Sequence, residues 1–233
     1  MMSDSVRRVG GVAAMVLGLT YVAVGVAFFL QPDEQGPGGN LDEFFRSIAD
    51  GAGWFLALNW AFVIGGVVAL AVIPAATGIV LRGNEGWAIW AASLAYLGFA
   101  VLIVDSFRAI FLVPLEAEAY MAASEEFQGV IRGDNTHLAL DQGGLLIFGA
   151  VGLWILMVSA LALVSRRLPL VLSLIGLAVA VAYFLVVAGL LADAEVLVGI
   201  SAGIGGIVLA PIFYIWVGIS LWRNPYPTLQ SSQ

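Results

Sequence analysis

The residues of this chain whose types and spacing could do chemistry are few, and they fall at nearly one depth. Asp105 and Arg108 are three residues apart, so they share a helix face and can pair. His137 and Asp141 are four apart on a second face, and with Asp105 as a third ligand they outline a metal site. One histidine and no cysteine make that donor set thin, and no metal or other cofactor can be named from it. Asn59 falls at the same depth, so Asn59, Asp105, Arg108, His137 and Asp141 together form a candidate pocket. Its chemistry would suit a lipid headgroup, a quinone-like molecule or a cation. Gly199-Ile-Ser-Ala-Gly203 matches the G-x-S-x-G pattern of a serine nucleophile, which raises intramembrane hydrolysis at Ser201 as a remote alternative. That motif needs a strand-to-helix elbow or a helix start with an oxyanion hole. The same glycines read better as a small-xxx-small face, Gly199 and Gly203 extended by Gly205 and Gly206, made for packing helices. No catalytic set emerges. Lysine is absent, which removes Schiff-base chemistry.

These groups sit inside long apolar runs. The chain has 233 residues, 61% hydrophobic and only 11% charged, with a mean hydropathy of +1.02. A soluble domain carries about 25% charge, and a water-borne fold of this composition would leave large apolar areas exposed. Six runs are long enough to cross a hydrocarbon core that takes about 20 residues of helix. They are Val9 to Leu30, Trp54 to Leu81, Trp87 to Leu115, Leu138 to Val164, Leu170 to Ala192, and Val196 to Trp222. None alternates apolar with polar positions as a barrel strand does. The expected fold is all-α: a single six-span transmembrane domain over 1–233.

Charges within such helices raise a functional hypothesis by default, because lipid solvates them poorly. Here they gather in the outer third of the spans, and the inner two-thirds hold only Ser, Thr and Tyr. A proton pump or channel needs polar groups across the full thickness, so this distribution argues against both. Pro74 and Pro211 each remove a helical hydrogen bond and predict kinks in the second and sixth spans.

Arginine placement gives the orientation. Arg7, Arg8, Arg82, Arg166, Arg167 and Arg223 fall on one side with only Asp4 and Glu85, whereas the other side carries twelve acids against Arg46 and Arg132. Cations are retained in the cytoplasm, which places both termini inside a bacterial inner membrane. The acidic outer face would attract a cationic partner at low salt, and the net charge of −7 argues against nucleic acid. In the first outer loop Leu41, Phe44, Phe45 and Ile48 recur at helical spacing between acids, which predicts a short amphipathic helix in the headgroup plane. Periodicity through Tyr120, Met121 and Phe127 carries the third span beyond the bilayer. Besides the lipid itself, the small-residue faces point to other membrane subunits, or to a second copy, as partners.

The run Ile73-Pro-Ala-Ala-Thr-Gly-Ile-Val-Leu-Arg82 into Trp87, the turn Leu163-Val-Ser-Arg-Arg-Leu-Pro169, and the ending from Pro211 to Arg223 resemble an uncharacterised family of six-span bacterial membrane proteins, a domain of unknown function. The resemblance implies this topology and carries no activity to transfer.

Overall fold

The computed structural model describes residues 3–36, 40–133 and 140–223. Among them the regular structure is helical throughout, and six helical stretches are long and apolar enough to cross a membrane. The first is α1 (Asp4–Leu30), and α2 (Leu41–Asp50) follows in the first long connection. The second and third spans are α3 (Gly53–Val80) and α4 (Glu85–Ala122), with α5 (Glu125–Gly133) after them. The fourth joins a π-helical stretch, Leu145–Ala150, to α6 (Val151–Ser165), and α7 (Leu170–Leu191) is the fifth. The sixth runs from α8 (Glu195–Ala202) through a second π-helical stretch, Gly203–Leu209, into α9 (Ala210–Arg223).

Each span packs on its neighbours in the chain, and α9 returns to lie against α1, so the six close into a ring. Trp154, Tyr214, Phe99, Leu17 and Ile73 fill the centre, where the Trp154 Nε1–H donates to Thr77 Oγ1 at 3.1 Å. The seam between α1 and the last span rests on a row of glycines seven residues apart. A Cβ on Gly11 would lie 3.1 Å from the Gly218 carbonyl, one on Gly18 would lie 2.9 Å from the Pro211 carbonyl, and one on Gly25 would meet Ile207 at 2.6 Å. Only residues without a side chain let these backbones approach so closely.

The arginine-bearing ends are tied together by backbone caps. Arg7 is buried; its Nη1 donates to the Leu221 carbonyl at 2.6 Å and its Nη2 lies 3.5 Å from Asp4. A guanidinium there satisfies a carbonyl that the last helix turn cannot use and complements the negative end of its dipole. Arg167 does the same for Ile79 at the end of α3, at 3.0 Å.

At the opposite end α4 continues well past the bilayer: its 38 residues measure about 57 Å against a core of about 30 Å. The connection after the first span holds a helix, α2. Its apolar face does not lie open to headgroups: Phe45 and Ile48 are buried against Val113, Ala117 and Tyr120 of the α4 extension, with the Phe45 and Tyr120 rings stacked at 4.9 Å. The projecting third span offers a protein surface at that height, and Asp42 accepts a hydrogen bond from the Tyr120 hydroxyl beside it. Gln35 closes the loop, its Nε2 donating to the carbonyls of Ser47 and Gly51 at the end of α2.

The fourth span begins at Leu145, seven residues later than the apolar run suggests. Gly144 adopts φ +65°, a left-handed conformation open to glycine at little cost, and this turn separates Leu140–Gly143 from the helix. The helix runs through Pro74 within α3, and Pro211 falls at the second position of α9, directly after the second π stretch. There the Ala210 N–H reaches back five residues to the Gly205 carbonyl. Because helix precedes it, Pro211 removes a bond to the turn before and its ring crowds that turn, and the wider π register just ahead of it accommodates both.

Candidate functional site

Asp105 sits half-buried in the second half of α4, and both of its carboxylate oxygens accept from the Leu140 N–H, at 2.9 and 3.1 Å. One residue on, Asp141 lies in the turn that precedes the fourth span, and so not on a helix face as its spacing from His137 suggests. Its Oδ2 accepts from the N–H groups of Leu146 and Ile147, both at 2.7 Å. Those are donors in the first turn of a helix, without partners inside it, and a carboxylate there satisfies two of them while meeting the positive end of the helix dipole. The Gly144 carbonyl then accepts from both Phe148 and Gly149 at 2.9 Å, and that shared acceptor starts the π register.

Asp105 and Asp141 thus hold the same connection from its two sides, one pinning Leu140 to α4 and the other starting the helix. Arg108 is half-buried one turn beyond Asp105. The Asn59 side chain donates to the Phe55 carbonyl of its own helix at 2.9 Å. The α3–α4 contact at this height is made by rings, Trp60 edge-on to Phe107 at 5.9 Å. His137 lies outside the described residues.

Ser201 is buried within α8, in continuous helix, with no strand-to-helix elbow around it. Among the described residues, no other part of the chain comes within 4 Å of where a Cβ would stand on Gly199, Gly203 or Gly206. Within the described part of the chain no other helix packs on these three. Gly205 is the one that turns inward, where a Cβ would stand 2.5 Å from that of Ala182, because the π stretch changes which residues of the last span face the bundle.

Deeper in the ring is a polar group that inspection of the sequence misses. The Tyr183 hydroxyl donates to that of Tyr21 at 3.0 Å, and the Tyr21 ring stacks on Tyr214 at 5.6 Å. Phe148 of the first π stretch meets Tyr183 edge-on, and Gly205 of the second lies against Ala182 beside it. The Tyr214 hydroxyl is fully buried with no hydrogen-bond partner among the described residues. Inside a membrane such hydroxyl pairs fix which helix faces meet. Nothing in the spacing of Tyr21, Tyr183 and Tyr214, on three different spans, signals that they converge.

A family model described as a domain of unknown function, DUF4386, matches residues 36–222. The chain belongs to the DUF4386 family. No curated protein and no solved structure matches it. The DUF4386 match takes in the second to sixth spans and the positions of Asn59, Asp105, Arg108, His137 and Asp141, with α1 preceding it. The family description carries no reaction, so function rests on the arrangement itself.

Proposed function

We propose that this DUF4386 chain is a non-enzymatic, multi-pass protein of a bacterial inner membrane, with both termini in the cytoplasm, that works by packing against another membrane subunit or a second copy of itself. The orientation is supported by the arginines that collect at one end and the acids that collect at the other.

The observation that carries the packing role is the open face of the last span. Among the described residues Gly199, Gly203 and Gly206 have no neighbour from another helix, and Val196, Ile200, Ile204 and Val208 are exposed alongside them. Over their most apolar stretches the first and last spans are each only 28% buried, against 50% for the fifth. Lipid gives little reason to keep side chains off a helix surface, whereas close approach by another helix does. The carboxylates of Asp105 and Asp141 fit the same reading, since both already bind backbone N–H groups of their own chain.

The chain has no cysteine, which makes the test clean. Single Gly199→Cys and Gly203→Cys variants, oxidised in native membranes, are expected to form crosslinks, to self or to a second protein. Leu174→Cys, exposed on α7, is the lipid-facing control. Crosslinking at the two glycine positions no stronger than at Leu174 would remove the proposal.

A further inference from the structure

The surface of the bundle carries a second feature, at the other end and on another face. Between α1 and α3 a groove of about 490 Å³ is lined by Val9, Val12, Ala13, Val16, Val68 and Ala71, with Trp222 and Arg8 at its mouth. Its volume lies in the range of small-molecule sites. From Arg8 to Val16 it descends about 12 Å along α1, most of the depth of one leaflet of hydrocarbon. Apart from Arg8, every residue lining it is apolar.

Arg8 differs from its neighbours in what answers its charge. The two acids at this end are both engaged: Asp4 stands against Arg7, and Glu85 accepts from the Gly83 N–H at 3.0 Å. Arg7 is further held by the carbonyl of Leu221, and Arg167 by that of Ile79. Arg8 is exposed and has no ion-pair partner among the described residues. A guanidinium at headgroup height calls for a phosphate or carboxylate, and an apolar channel directly beneath it calls for a hydrocarbon chain. Trp222 at the mouth supplies the amphipathic ring found where glycerol backbones sit.

We infer that this groove holds one acyl chain of a glycerophospholipid whose phosphate pairs with Arg8 and whose headgroup carries no cation of its own. A free phosphate ion would satisfy Arg8 and leave the groove to other lipid tails. A choline or ethanolamine lipid would fill the groove but bring an ammonium group that competes with Arg8 for the phosphate. Only an anionic lipid answers both halves of the site. The assignment does not depend on which side of the membrane the arginines face, nor on what covers the glycines of the last span.

The test uses the full chain in mixed micelles with equal amounts of phosphatidylglycerol and phosphatidylcholine of matched acyl chains, with retained lipid counted by native mass spectrometry. One cation near the surface favours an anionic lipid about fivefold, so the wild-type chain should retain phosphatidylglycerol over phosphatidylcholine by about that factor. Arg8→Gln should bring the ratio close to one, Arg8→Lys should keep most of it, and Arg166→Gln, an exposed arginine in another turn at the same end, should leave it unchanged. Ala71→Leu, which narrows the channel, should lower retention of both lipids. Equal retention by the wild-type chain, a ratio indifferent to Arg8→Gln, or equal losses from Arg8→Gln and Arg166→Gln would each overturn the inference. So would release of both lipids when inorganic phosphate is added, because that outcome describes an anion site with no role for the tail.

Discussion

Asp141 gives the fourth span a start that its own residues lack. One carboxylate oxygen takes two backbone donors at 2.7 Å, where a Ser or Asn cap ordinarily takes one. Replacing it with Ala should lower stability by about 1–2 kcal/mol, read as a drop in the thermal midpoint in detergent, whereas Asn, itself a good cap, should recover most of the loss. If Asp141 served a ligand through its charge, Asn would fail as completely as Ala in ligand retention while restoring the melting point, so the pair of variants separates the two roles. Residues such as Asp105 and Asp141 are easy to pick out in a sequence because charge is conspicuous among apolar neighbours. Their partners are not, because a backbone N–H belongs to every residue and only the turn at Gly144 brings those of Leu146 and Ile147 under the carboxylate.

At the scale of elements, the decisive distinction is between glycines that meet a backbone and glycines that meet nothing. A Cβ on Gly18 would lie 2.9 Å from the Pro211 carbonyl and 3.1 Å from the Ile215 amide nitrogen, neither of which can swing aside. Gly18→Val should cost about 1–3 kcal/mol or block assembly of the ring, seen as loss of monodisperse protein on size-exclusion chromatography. Gly203→Ala should leave the monomer's melting point unchanged or higher, since it adds a methyl group to open space in a helix, and should weaken only the association with a partner. Composition alone does not divide the two sets. Both Gly11–Gly18–Gly25 and Gly199–Gly203 recur at helical intervals, and which set turns inward depends on where the neighbouring spans stand. The second π stretch adds to this, since it shifts the facing of the last span by a fraction of a turn at Gly203–Leu209. Span lengths, by contrast, are readable within one to five residues at most ends, because hydrocarbon thickness enforces them whatever the packing. The exceptions are the third, whose helix runs seven residues past Leu115, and the fourth, whose apolar run includes Leu138 and Leu140 ahead of the Gly143-Gly144 break.

For the molecule as a whole, the arginine-rich and acid-rich ends make a prediction about sidedness. In intact cells a membrane-impermeant maleimide should label a cysteine placed at Glu118, on the projecting part of α4, and should not label one at Arg82, in the turn after α3. The reverse pattern would invert the topology and remove the inner-membrane orientation proposed above. The ring itself closes late. Gly11 and Gly218 pack directly, yet at about 5–20 residues per second roughly 10–40 s of synthesis separate them. Throughout that interval Arg7 has no Leu221 carbonyl to cap and the glycine row of α1 lies against lipid. A nascent chain interrupted before its last helix therefore presents a sticky, half-finished seam.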